Sequence, residues 1–159
     1  MKDFKCPITG VNVPRFLLSA IAGFAFIYVF DYVLHVMILM DTYLETPQLW
    51  RTEDDMMSHG WWMYLNQGLI ALVTAMMYAR CCHSKGICGG LSYGLMIGAL
   101  MGVIMSGSFA WMPISMNLAL AWLAGGVVMG LGLGVIYAVL YKPCGGCGTS
   151  CSKDAAKAE

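Results

Sequence analysis

Charge is the scarcest thing in this chain. Only 11% of its 159 residues are Asp, Glu, Lys or Arg, against roughly 25% in ordinary soluble domains. That deficit excludes an ordinary soluble globule and a disordered chain. Neither sign is in excess, because nine basic residues balance nine acidic ones. There is therefore no basic patch for nucleic acid and no acidic tail. Asp and Glu are missing altogether between Met56 and Lys153. Also missing are a P-loop and an H-E-x-x-H pair, which removes the common phosphate-binding and zinc-protease signatures.

What remains is apolar, with a mean hydropathy of +0.69. A spanning helix needs about 20 mostly apolar residues. Four stretches qualify, at about 16–40, 61–80, 91–111 and 116–141. The first is too long for the core of a signal peptide and lacks a small-residue cleavage site after it, so it is expected to stay as a helix. The expected fold class is all-α, an integral membrane four-helix bundle over 1–143 followed by a cysteine-rich tail at 144–159.

Short-loop basic residues orient such a bundle. Lys2, Lys5 and Arg15 precede span one, Arg80 and Lys85 separate spans two and three, and Lys142, Lys153 and Lys157 follow span four. Arg51 alone falls on the other side, beside Asp41, Glu45, Glu53, Asp54 and Asp55. Both termini are expected to be cytoplasmic, in a bacterial inner membrane. Trp61, Trp62 and Trp111 would mark the outer interface, and Tyr78, Tyr137 and Tyr141 the inner one. In the outer loop at 41–60, Thr46-Pro47 reads as an N-cap with proline at the first helical position. A short surface helix ended by Gly60 is expected there, with an irregular acidic loop as the alternative.

Span three carries Gly90, Gly94, Gly98, Gly102 and Ser106, each four residues apart, and span four carries Gly126, Gly130 and Gly134. Without a hydrophobic drive between helices in lipid, close backbone contact carries association. The register predicts a glycine zipper between the third and fourth helices or against a second copy.

Polar residues gather towards the outer leaflet. Asp31 and His35 are one helical turn apart. Asp31 lies about 22 Å into a core of about 30 Å when counted from Phe16. Asn66 and Gln67 enter from span two, His59 stands just above them, and Ser106, Ser108, Ser115 and Asn117 enter from spans three and four. Asp31, His35, His59, Asn66 and Gln67 are the candidate ligand-binding residues of an outward-opening polar vestibule. Three readings compete: a buried hydrogen-bond network, a ligand or proton site, and a soft-metal site. The last would use His35, Met37, Met40, Met56, Met57, His59 and Met63, since thioether and imidazole suit copper.

All seven cysteines fall on the expected cytoplasmic side, where thiols stay reduced. Cys6 is in the N-terminal segment. Cys81, Cys82 and Cys88 lie with His83 in one loop, and Cys144, Cys147 and Cys151 lie in the tail. The glycine-spaced tail thiols resemble half of a zinc site, and an iron–sulfur cluster would need four thiolates. Zinc or iron on Cys81, Cys82, His83, Cys88, Cys144, Cys147 and Cys151 is one expectation. Lipidation of the boundary pair is another, and thiols with no special role are a third.

One set of residues carries a family resemblance. It comprises Asp31-x3-His35, Tyr43, Leu49-Trp50-Arg51, Tyr78-Ala79-Arg80, Leu91-x-Tyr93-Gly94, Pro113-Ile114, Ala121-Trp122 with Gly125-Gly126, and Tyr141-Lys142-Pro143. Over about 15–143 the chain resembles a widespread, uncharacterised family of small bacterial four-span membrane proteins. The resemblance implies the architecture and no activity, and the cysteine-rich loop and tail depart from it. Four-span thiol-oxidising quinone enzymes fit worse, because their reactive cysteines stand on the outer side. The expected function is non-enzymatic: binding or transport of a small ligand or ion. The alternatives are an accessory or assembly subunit of a larger membrane complex, and a copper- or zinc-handling protein. The expected partners are the lipid bilayer and either a second copy or such a complex.

Overall fold

The structure is a computed structural model and describes residues 11–81 and 86–141. The described residues are helical throughout, with no strand element among them. Helix α1 runs Val13–Asp31. Asn12 caps it, accepting the Arg15 N–H on its side-chain oxygen at 3.2 Å, and a proline stands in the first turn, where no backbone donor is needed. The winding then widens into a π-helical stretch, Tyr32–Ile38, closed by a bond from Leu39 N–H to the Leu34 carbonyl five residues back. Short α2, Met40–Leu44, and a single 3-10 turn, Pro47–Leu49, lead to α3, Glu53–Cys81. Helix α4, Gly86–Ser106, starts at a glycine with φ of +59°, a backbone conformation that a side chain would strain. A 3-10 turn at Gly107–Ala110 leads to α5, Met116–Leu140, which Ser115 caps through Leu118 N–H.

Three of these helical stretches are long and apolar enough to cross a membrane: Val13–Ile38, Gly86–Ala110 and Met116–Leu140. The second expected span lies within α3, where Trp61, Trp62, Tyr64, Asn66 and Gln67 dilute the apolar run.

The closest pairing is α4 on α5, antiparallel. A Cβ placed on Gly98 would lie 2.5 Å from the Gly126 carbonyl oxygen and 3.0 Å from the Gly130 Cα. On Gly94 it would meet the Gly130 and Leu131 backbone. Each step of four along α4 thus meets a step of four back along α5. Helix α1 packs on both α3 and α5 and has its own close approach, because a Cβ on Gly23 would lie 2.6 Å from the Tyr137 hydroxyl oxygen.

Two expectations are corrected. The outer-loop helix is not a separate element. Thr46 makes no cap bond and instead accepts Trp50 Nε1–H at 3.3 Å, and the chain extends at Trp50. Residues 53–60 are the first turns of α3, which passes through Gly60. Glu53, Asp54 and Asp55 favour a helix start there, and one glycine, costing about 1 kcal/mol, does not stop a 29-residue helix. Nor do Tyr78, Tyr137 and Tyr141 form an interfacial belt. All three are buried in the core, with Tyr78 1% and Tyr137 0% exposed. Protein groups stand where headgroups would: Tyr137 bonds Thr74 Oγ1, and Tyr141 accepts Asn12 N–H.

Candidate ligand site

Where α1 ends, the loop at 39–52 folds over the start of α5. Leu39, Ile114, Leu118 and Trp122 make a small core of their own, with Tyr43, Leu49 and Trp50 packed against it. This second core fixes the side chains around α1's polar end. Trp122 Nε1–H donates to the Tyr43 hydroxyl at 2.9 Å, and the same hydroxyl lies 2.5 Å from His35 Nδ1. With one lone pair taken by Trp122, the Tyr43 proton is free to go to Nδ1, which leaves the His35 N–H at Nε2. Trp50 closes the group, edge-on to Tyr43 at 5.0 Å and to Trp122 at 6.5 Å between ring centroids. Burial pushes the Tyr43 phenol above its usual range. The Trp122 donor opposes that rise and the Asp31 charge adds to it.

Asp31 sits at the last α-helical position before the π stretch. Its Oδ2 accepts Gln67 Nε2–H at 2.8 Å. Gln67 is 4% exposed, and its Oε1 is buried with no hydrogen-bond partner. No cation among the described residues bonds Asp31. Beside this pair, Tyr28 and Tyr64 bring their rings to 5.9 Å. Each stands three residues before Asp31 or Gln67 and so shares its helix face.

The sequence-predicted ligand residues thus divide. Asp31 hydrogen-bonds Gln67 and His35 hydrogen-bonds Tyr43, while Asp31 and His35 act on each other through charge and not through a bond. Asn66, one residue from Gln67 and about 100° round the helix, is exposed. His59 stays with its own helix, bonding Asp55 and Ser58. In this exposed group, the Arg51 hydrogen bond holds the Asp55 carboxyl below its usual range. Cys88 is an exposed free thiol. Cys81 ends α3, and Cys82, His83, Cys144, Cys147 and Cys151 lie outside the described residues. Among the described residues no three of His, Cys, Asp and Glu gather as a metal site. Tyr43, Trp50 and Trp122 were absent from the predicted ligand set. For Tyr43 and Trp50 the signal was the mixture of aromatic and polar residues in a loop of 39–52 otherwise read for its helix pattern, while Trp122, on α5, had only its aromatic ring in an apolar run.

No family model matches the chain, and neither the curated proteins nor the solved structures contain a match.

Proposed function

We propose that this chain is a four-span integral membrane protein that binds a small ammonium cation in its outer leaflet, at Asp31 and Gln67. The observation that carries the reading is a buried acceptor without a donor, set beside a carboxylate. Asp31 accepts an amide N–H and forms no ion pair among the described residues, His35 acting on its charge only through space, and the Gln67 Oε1 beside it lacks a donor. A carboxylate inside a membrane segment calls for a counter-charge. An ammonium group offers that charge together with N–H donors for both oxygens. The Tyr28 and Tyr64 rings add faces on which a cation is attracted. In this reading α3 is the fourth span, α4 and α5 form a glycine zipper, and both termini are cytoplasmic.

Titrating the full chain in lipid nanodiscs with ethylammonium chloride, followed by calorimetry and thermal unfolding, tests the ligand. Saturable binding and a raised melting temperature are expected. Asp31→Asn keeps the Gln67 bond and should weaken binding at least tenfold without unfolding the protein. Equal affinity in Asp31→Asn, or no saturable binding to the parent chain, would overturn the reading. A membrane-impermeant maleimide added to intact cells tests the orientation: labelling of Cys81 or Cys144 from outside would reverse it.

A further inference from the structure

The first turns of α3 stand clear of the bundle and carry an unusual set of side chains. Met56, His59 and Met63 are spaced by three and four residues, so they share one face. Gly60 borders that face one turn after Met56, about 100° round the helix from His59, and nothing stands within 4 Å of where its Cβ would be. The absent side chain leaves a notch in an open groove of about 570 Å³ that these four residues help to line.

His59 is held in a fixed attitude. Its Nδ1 lies 2.9 Å from the Asp55 carbonyl oxygen and 3.2 Å from Asp55 Oδ1. Ser58 Oγ is also 2.9 Å from Nδ1 and gives its own proton to the Asp55 carbonyl, so Nδ1 faces acceptors only and carries the ring proton, which leaves Nε2 with its lone pair for an external partner. A carboxylate or carbonyl behind one imidazole nitrogen is the usual support for a metal on the other. Asp55 is itself fixed by Arg51, whose Nη1 is 2.7 Å from Asp55 Oδ2. The ligands offered are two thioethers and one imidazole, a set that selects soft, monovalent copper over hard cations. Methionine's unbranched side chain can swing both sulfurs towards the notch. The Glu53, Asp54 and Asp55 carboxylates offset the positive end of the helix dipole, which would otherwise repel a cation.

We propose that Met56, His59 and Met63 bind one copper(I) ion across the Gly60 notch, with Asp55 as the positioning residue behind His59. Binding forms two thioether sulfur bonds and one Nε2 bond. It displaces at most the Nε2 proton of a charged imidazole, and no electron is transferred. This site is separate from Asp31 and Gln67, so either proposal can fail alone.

The test uses the full chain in detergent with its thiols blocked by N-ethylmaleimide, so that cysteines do not compete. Silver(I) serves as a redox-inert probe, and the methionine methyl carbons are followed by NMR. The Met56 and Met63 methyl signals should shift together and saturate at one ion per chain, while Met96 on α4 stays in place. His59→Ala should weaken binding at least tenfold, and Asp55→Asn should weaken it in the same direction by less. Copper(I) with ascorbate, in competition with a chromogenic chelator, should give the same order of variants. Unmoved Met56 and Met63 methyls, or a His59→Ala chain that binds silver(I) as the parent does, would overturn the proposal.

Discussion

The two ends of the bundle hold aromatic clusters built from similar parts but finished differently. At the end where α3 closes, Tyr78, Tyr93, Tyr137 and Tyr141 are buried. Tyr137 donates to the Ala71 carbonyl and meets Thr74 Oγ1 at 2.8 Å. Tyr93 donates to the Thr74 carbonyl at 2.5 Å. At the loop end, His35, Tyr43 and Trp50 are only half-buried, and Gln67 keeps an acceptor with no donor. Ser19 Oγ, on α1, is the other buried side-chain atom without a partner among the described residues, and it has no carboxylate beside it as Gln67 does. The contrast separates two uses of polar groups in an apolar chain. A network whose members satisfy one another locks helices together, and a network with acceptors to spare is ready for something else.

Removing a ring should hurt most at the closed end. Tyr137→Ala takes a fully buried aromatic from between α1, α3 and α5, a class of change that costs about 3–5 kcal/mol. Tyr43→Ala should cost clearly less, because its ring already meets solvent or lipid on one side. Thermal unfolding of both variants in detergent, followed by circular dichroism, tests the difference. Equal losses would mean that the loop end is packed as tightly as the other.

Removing a hydroxyl is a finer probe of the same contrast. Thr74→Val leaves the Tyr137 hydroxyl with only the longer, 3.3 Å bond to the Ala71 carbonyl. A loss of about 1–3 kcal/mol is expected for a buried group deprived of its partner. Tyr43→Phe strips a partner from both Trp122 and His35, but His35 and Tyr43 are only half-buried, so the loss should be smaller than that of Thr74→Val. A Tyr43→Phe loss as large as that of Thr74→Val would erase the distinction between the two ends.

The sequence shows this contrast unevenly. Helical character and long apolar runs follow from composition and are visible at once, as is the four-residue glycine spacing of α4 and α5. Partner choice is not. Asp31 and His35 read as a pair because an α-helix puts residues four apart on one face. The π stretch that starts at Tyr32 re-aims everything after it, and no residue in Tyr32–Ile38 announces the change. Asn66 and Gln67 are neighbours in sequence but point about 100° apart on a helix, and only contact with α1 decides which is buried. The tyrosines read as interfacial because tyrosine often is. Their burial depends on Thr74 and Asn12, hydrogen-bonding groups that a hydropathy reading counts only as minor interruptions.

A smaller effect should come from Gly60, where α3 stands beyond the packed bundle. Its Cβ position is open and it lies in a helix interior, so Gly60→Ala should stabilise the chain by about 0.5–1 kcal/mol. A neutral or negative result would show that the first turns of α3 are frayed and contribute nothing to the folded state.

The smallest effect, and the most local, is on the ionisation of Tyr43, which lies just beyond the end of the first span. Its phenol is pushed above the usual range mainly by burial, with the Trp122 N–H opposing the rise and the Asp31 charge adding to it. A group whose pKa is raised on folding holds its proton more tightly in the native state. Its contribution to stability is therefore complete below the ordinary phenol pKa of about 10 and is lost as pH climbs from there through the folded value. Trp122→Phe removes the donor that favours the phenolate and should move the Tyr43 pKa further up. Asp31→Asn removes a nearby negative charge and should bring it down. Tyrosine ring-carbon NMR across an alkaline titration, with Tyr43→Phe to identify the signal, reads both directions. Opposite shifts in the two variants would tie Tyr43 electrostatically to Asp31 and join the two halves of the loop-end site. A Tyr43 signal that responds to Trp122→Phe but ignores Asp31→Asn would divide that end into two independent groups, with Asp31 and Gln67 left as the whole of the ligand site.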